Sequence, residues 1–419
     1  MIVLRLALLS LLNRRVTVLL TVLSIAVSVA LFLGVEKVRT GARQGFANTI
    51  SGTDLIIGAR SGSVQLLLYS VFRIGNATNN MSWTSYKDLA ARPEVAWMVP
   101  LSLGDSHRGF RVMGTTQEFF ERYRHGRNRP LAIAQGAVFT DLFDAVLGAE
   151  AAQELGYVLG QDIVVEHGLA SVGAADHDDK PFRVAGILAR TGTPVDRTIH
   201  VSLEAIEAIH VDWQGGARMP GQTFGADDVR RMALQPKAVT AALVGLKSRL
   251  GVFSLQRHVN EYRDEPLSAV LPGVALQELW SLVGVAETAL MVVSALVVVT
   301  ALLGMLTAIV STLNERRREM AILRSVGAGP QHVLGLLVAE AALLATLGVV
   351  AGIGLLYAGL AAARPVFEAA LGLHIELDWI GASEASMLLG IIALGAVTGL
   401  IPGLRAYGNS VVDGMTVRT

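Results

Sequence analysis

The sequence predicts a membrane α-helical protein: four transmembrane helices with a large extracytoplasmic α+β domain inserted between helices 1 and 2. Three observations carry this. Of 419 residues, 52% are hydrophobic and 17% charged, with a mean hydropathy of +0.50, whereas soluble domains run at about 45–50% apolar and about 25% charged. Four apolar runs are each long enough for a span, which takes about 20 residues. Between the first and second runs lie about 250 residues with short, alternating apolar segments, the pattern of a folded domain outside lipid.

The first run, 16–35, is uncharged, follows Arg5, Arg14 and Arg15, and is closed by Glu36 and Lys37. A cleaved signal peptide is the alternative, but the apolar core exceeds the usual roughly 7–15 residues and no clear small-x-small cleavage site follows it. The second run is 285–313, the third, 333–363, holds Glu340 as its one charge, and the fourth is 385–404. Four spans put both termini on one side. Arg5, Arg14 and Arg15 then share that side with Arg316, Arg317, Arg318, Arg324, Arg405 and Arg418, and the positive-inside rule makes it cytoplasmic. The expected order is a cytoplasmic segment 1–15, the first span, an outer domain and stalk 36–284, the second span, a cytoplasmic elbow 314–332, the third span, a short outer loop 364–384, the fourth span and a cytoplasmic tail 405–419.

In the outer segment, period-two stretches at 110–113, 162–166, 182–188 and 198–201 predict strands. Helices are expected at 84–91, 117–123, 149–155 and 203–210, the last capped by Ser202. Residues 74–82 and 168–180 read as loops. The second of these follows His167 and contains His177 and Asp178, whose imidazole and carboxylate groups are of a kind that binds zinc. Their spacing matches no known cage, so a solvated turn is the plainer reading and His167, His177 and Asp178 stay weak metal candidates.

Composition also excludes classes. The net charge is +0, so no basic excess points to nucleic acid. The absence of cysteine removes disulfides, thiolate metal sites and cysteine nucleophiles together. No HExxH helix, GxSxG elbow or P-loop is present. An intramembrane or metal-dependent enzyme would rest on the His177 cluster and Glu340 alone. The chain is read as non-catalytic, holding no cofactor of its own.

The stretch 276–326 has no proline, and as one helix would measure about 75 Å, well past a bilayer of about 40–45 Å with head groups. Its inner end is Glu315, Arg316, Arg317, Arg318, Glu319, Met320, Leu323 and Arg324, before Gly327 and Ala328 break the helix. Charge, an apolar stripe from Met320 and Leu323, and a forced turn suit a knob that docks into a partner's groove. The alternative is that these arginines only orient the chain against anionic lipid.

The run Asn314-Glu315-Arg316-Arg317-Arg318-Glu319-Met320-Ala321-Ile322-Leu323-Arg324-Ser325-Val326-Gly327-Ala328 resembles the signature after the second span of the FtsX-like, MacB-type ABC transporter permeases. The following span, with Glu340 and Gly348-x-x-x-Gly352-x-Gly354, is similar to theirs, as are Val146-Leu147-Gly148 and Phe182-Arg183-Val184-Ala185-Gly186-Ile187-Leu188 in the outer segment. The resemblance implies a permease subunit of a bacterial inner membrane, with porter-like and sabre-like parts in a MacB-like periplasmic core domain. It further implies dimerisation, as a homodimer or with a paralogous permease, and docking on ABC ATPase subunits that hold ATP and Mg. ATP-driven closure is then coupled through the elbow to the outer domain, a mode called mechanotransmission. The MacB branch carries a fused nucleotide-binding domain, whereas only residues 1–15 precede the first span here, so a separate ATPase chain is expected. The unfused layout is similar to that of lipoprotein-releasing permeases. A periplasmic adaptor or a lipoprotein is a further candidate partner. Export or extraction of a substrate at the outer face is the function implied; the alternative is an FtsX-like regulator that acts on a periplasmic partner such as a cell-wall hydrolase without transporting.

Within the spans, the pairs Gly348/Gly352 and Gly395/Gly399 let helices approach closely. Packing of the third span on the fourth is preferred over a contact between subunits. Glu340 is expected to face a polar partner or water rather than lipid.

Overall fold

The computed structural model describes residues 7, 10, 11, 14–126, 128–167, 179–214, 217–218, 224–313, 322, 324–325, 327–371 and 379–407. The chain divides into two compact units, Met1–Gly41 with Gly284–Thr419, and Ala42–Val283.

Four helices, lying wholly or mostly in the first unit, are long and apolar enough to cross a membrane, over Arg15–Gly41, Pro272–Leu313, Pro330–Ala362 and Ala382–Leu404. All run past the apolar stretches read from sequence. The first helix continues to Thr49 through Glu36, Lys37, Arg39 and Arg43, and the third continues to Leu371, into the segment expected to be loop. Helical backbone hydrogen bonds are satisfied internally, so charge at the end of a span does not terminate it. Hydroxyls inside the spans are satisfied the same way: Thr21 donates to Thr17 O, Ser28 to Ser24 O and Ser294 to Leu290 O, each at 2.8 Å. Ile25, Val29 and Leu33 pack with Leu302, Met305, Leu337, Leu344 and Ile391 in one core. Leu19, Leu20, Val292, Leu296 and Leu389 point outward instead, an apolar exterior that suits lipid. The last helix stops at Thr398 and resumes over Leu400–Tyr407, because Pro402 has no N–H for the Thr398 carbonyl.

The second unit is built on a sheet. Its described strands are β1 (Leu55–Ala59), β2 (Val95–His107), β3 (Phe110–Thr115), β4 (Ile133–Gly136), β5 (Asp144–Leu147), β6 (Asp162–Ile163), β7 (Glu166–His167), β8 (Phe182–Leu188), β9 (Thr198–Ser202), β10 (Ala241–Leu246) and β11 (Leu267–Val270). Their order is β11-β1-β10-β2-β3-β9-β5-β8-β4, with β7 added to β2 and β6 to β8. β2 joins the two halves: its first part pairs with β10 (Leu101 opposite Ala241) and its second with β3 (His107 opposite Phe110). Arg108 and Gly109, both with positive φ, form the two-residue turn between β2 and β3. The parallel pairs are β9 with β3 and β8 with β5, and all five residues of β9 are buried.

The four helices expected from the sequence lie at Trp83–Ala90, Glu118–Arg122, Ala149–Leu155 and Leu203–Ile209, and Ser63–Ser70, Ala226–Val229 and Val252–Asn260 are helical as well. Ser202 caps the last, its Oγ accepting from Ala205 N–H at 3.1 Å. Two expectations are corrected. The single strand expected at 162–166 is two, β6 on β8 and β7 on β2, because the chain crosses between two partner edges at Val164 and Val165. The loop expected at 74–82 ends in a short strand, Met81 and Ser82, that finds a partner in Ala238 and Val239.

Candidate functional site

Of the expected coupling residues, Glu315, Arg316, Arg317, Arg318, Glu319, Met320 and Leu323 lie outside the described residues. What is described is the stop that follows them. Gly327 has φ +99° and donates its N–H to Arg324 O at 3.0 Å, a turn that a side chain at Gly327 would strain. Ala328 and Gly329 follow, and Pro330 opens the third long helix, where its missing N–H costs nothing. Ile322 is exposed beside this turn, and Ser325 Oγ donates to Ile322 O at 2.8 Å.

The glycine pairs face different neighbours. A Cβ at Gly348 would stand 2.5 Å from Ile25 Cγ2, and one at Gly352 would stand 2.8 Å from Ala26 O. At Gly395 it would meet Ala345 Cβ at 2.5 Å, and at Gly399, Ala341 Cβ at 2.7 Å. The third helix is thus held between the first and the fourth. The expectation that both pairs join spans three and four is corrected for Gly348 and Gly352, which face the first helix. Their spacing marks a close approach but names no partner.

Among the described residues of this unit Glu36, Glu340 and Glu384 are buried with polar partners, Glu36 with Arg39 Nη2 at 2.9 Å. Glu340 accepts from Ser10 Oγ at 3.4 Å. Glu384 Oε2 lies 3.2 Å from Lys37 Nζ and accepts from Gly381 N–H at 2.9 Å, which ties the far end of the first helix to the start of the fourth. The low surrounding dielectric strengthens such pairs and makes an unpaired charge costly.

His167 sits in β7, opposite Asp105 of β2. His177 and Asp178 lie outside the described residues. Among the described residues no group of three His, Cys, Asp or Glu is placed to hold a metal ion.

The titratable groups of the sheet unit divide by environment. His200 on β9 is enclosed by Phe119 and Phe120, and burial, with some repulsion from Arg73, pushes its pKa down to about 3. His210 behaves oppositely: burial disfavours its charge, but the Asp105 carboxylate, 3.6 Å away, outweighs burial and raises its pKa. Lys180, wholly buried, lies 2.8 Å from Asp179 and 3.0 Å from Asp212. Asp196 accepts from the N–H groups of Thr191 and Gly192 at 2.9 and 2.7 Å and so clamps the loop before β9.

Two arginines that the sequence did not single out, Arg73 and Arg111, line one cavity with Tyr69, Asn76 and Asn80. Burial, reinforced by Arg111, pushes the Arg73 pKa down to about 10, against the opposing influence of Tyr123. Burial likewise pushes the Tyr123 hydroxyl up to about 12. The one local signal was a charged residue at the edge of a segment, 74–82, read as exposed loop.

Comparison with known proteins places these units. The MacB-like periplasmic core domain matches residues 18–243 and the FtsX-like permease C-terminal region matches residues 291–411. The crystal structure of the periplasmic region of MacB from Actinobacillus actinomycetemcomitans is similar at 13% identity, over 55% of this chain and 94% of that one, with a TM-score of 0.34. The extracellular domain of the noncanonic ABC-type transporter YknZ from Gram-positive bacteria is similar at 12% identity, over 52% and 98%, with a TM-score of 0.31. No curated protein matches. Since the periplasmic core domain matches more than half of this chain and the permease region follows it, the chain belongs to the MacB-type, FtsX-like family of ABC transporter permeases.

Proposed function

We propose that this chain is the permease subunit of an ABC transporter in which a separate ATPase, carrying ATP and Mg, drives movement of the sheet unit on the outer face of the bacterial inner membrane. The sheet unit is then an extracytoplasmic domain inserted between the first and second spans. The termini and the arginine-rich elbow are cytoplasmic, and the permease works as a homodimer or beside a paralogue. Members of the family are non-catalytic membrane subunits, so the chemistry belongs to the partner. The movement serves export or extraction of a substrate at the outer face.

The observation that carries this reading is the helix Pro272–Leu313. At 1.5 Å per residue it is about 63 Å long, more than a bilayer of about 40–45 Å requires. It ends where the sequence places Glu315, Arg316, Arg317, Arg318 and Glu319. A helix can carry displacement through lipid because its backbone hydrogen bonds are internal.

Changing Arg318→Glu together with Leu323→Asp tests the coupling. ATPase co-purification should be abolished, and unchanged co-purification would remove the coupling role. Labelling of a cysteine placed at Asn314 in intact cells tests the orientation, since a membrane-impermeant reagent should not reach it. Capture of periplasmic partners by the full chain separates the two modes: an adaptor or outer-membrane channel supports export, and a cell-wall hydrolase or its activator supports regulation without transport.

A further inference from the structure

The helix Ser63–Ser70 ends in a turn closed by Ile74 N–H donating to Leu68 O at 3.0 Å. The residue before this donating N–H is left-handed, a conformation that glycine usually fills. Here it is Arg73, with φ of 61°. The backbone gains nothing from arginine at this place. The side chain, however, enters a cavity of about 210 Å³ that Arg111, Tyr69, Asn76 and Asn80 also line.

Nε and Nη1 of Arg73 are shielded from solvent and have no hydrogen-bond partner among the described residues. Nη2 reaches only the Met113 sulfur, at 2.8 Å. Arg111 donates from Nη2 to Gly75 O at 2.7 Å. Among the described residues no carboxylate lines the cavity. Three other arginines in this unit are answered by acids: Arg183 by Asp144 at 3.0 Å, Arg197 by Glu154 at 2.6 Å, Arg230 by Asp141 at 2.8 Å. Two guanidinium groups facing one small space repel each other, and a buried donor without an acceptor is costly. An anion in the space would lower both penalties.

We propose that the cavity binds the oxyanion of a small molecule, a carboxylate or a phosphate, held between Arg73 and Arg111. The planar donor fork of arginine matches either oxyanion with two hydrogen bonds. The two tip nitrogens of Arg73, the unpaired Nη1 and the Nη2 that reaches only the Met113 sulfur, supply one such fork. Asn76 and Asn80, exposed at the rim, offer amide contacts to whatever carries the charge. The cavity is smaller than the roughly 300–1,000 Å³ of drug-sized pockets, so a compact ligand fits. This assignment is independent of how the chain is coupled to an ATPase.

The test uses the full chain in detergent, with inorganic phosphate and acetate as probes and chloride at equal ionic strength as reference. Phosphate, acetate or both should raise Tm saturably, by about 3–5 °C at ten times the dissociation constant, and should titrate calorimetrically. A response to phosphate alone assigns a tetrahedral ligand, to acetate alone a planar one, and to both an oxyanion site of either kind. Arg73→Gln and Arg111→Gln should each remove the response. Without added oxyanion, Arg111→Gln should be no less stable than wild type, because it relieves a like-charge contact; an arginine with only a structural role would show the same loss at every anion concentration. Absence of saturable heat and Tm change with both probes in the wild-type chain overturns the proposal, as does a response that survives in both variants.

Discussion

Gly352 faces the backbone of Ala26: a Cβ added at this glycine would stand 2.8 Å from the Ala26 carbonyl oxygen. The obstruction is backbone, which cannot rotate away as a side-chain tip can, so the first and third long helices would have to separate. Lipid gives no hydrophobic drive between helices, and close contact is what holds them.

Gly352→Val should therefore destabilise the chain by about 1–3 kcal/mol, the usual cost of overpacking. Gly354→Ala is the control, since a Cβ there meets nothing within 4 Å. Unfolding in mixed micelles reads both. Equal stability of Gly352→Val and wild type would mean that the two helices are not packed at this point.

Lys180 is wholly buried and sits 3.0 Å from the equally buried Asp212. Lys180→Met leaves that carboxylate without its cation and should cost about 3–5 kcal/mol, whereas changing both Lys180→Met and Asp212→Leu should recover most of the loss. Urea unfolding of the three chains decides it. A single variant as stable as wild type would show that the pair is dispensable.

His200 should make stability depend on pH. Below the unfolded-state value of about 6.5 the unfolded chain takes up a proton that the folded one refuses until about pH 3. Stability is thus complete above the unfolded value and falls as pH drops through that window, by about 2 kcal/mol between pH 7 and pH 5. His107, whose pKa burial also lowers, acts in the same direction, while His210, raised by Asp105, acts in the opposite one. The contribution is isolated as the difference between wild type and His200→Phe, which should lose less stability on acidification. Parallel pH profiles of the two would contradict a neutral, buried His200.

Ser202 Oγ accepts from Ala205 N–H at 3.1 Å at the start of the helix Leu203–Ile209. Ser202→Ala should cost about 1 kcal/mol, and Ser202→Asp should restore most of it, because the carboxylate accepts the same bond. Thermal unfolding of the pair checks the assignment, and a Ser202→Ala chain with unchanged Tm would contradict it.

The helix cap at Ser202 was legible because a cap is a local event, read from a serine ahead of an apolar run. The turn at Gly327 was legible for the same reason: glycine, alanine, glycine and proline in a row cannot continue a helix. The strand at 162–166 was not read correctly. Alternation identifies extended chain but does not say which edge it joins, and here the two ends join β8 and β2 separately. The glycine pairs fall between these cases. Spacing four apart announces contact, yet whether Gly348 meets the first helix or the fourth depends on how the bundle closes. Arg73 showed locally only as a charge at the edge of an expected loop, since only the placement of β3 beside the turn at Arg73 turns two separate arginines into one cavity.

Hydropathy and charge are sums over neighbouring residues, so the amino-acid order alone established four apolar spans, a mixed sheet unit and a basic segment after the second span. Partner choice is different in kind. Which helix receives Gly352, which acid answers Lys180, and which arginines share a cavity are set by contacts between segments far apart in the chain, and those exist only once the whole chain has packed.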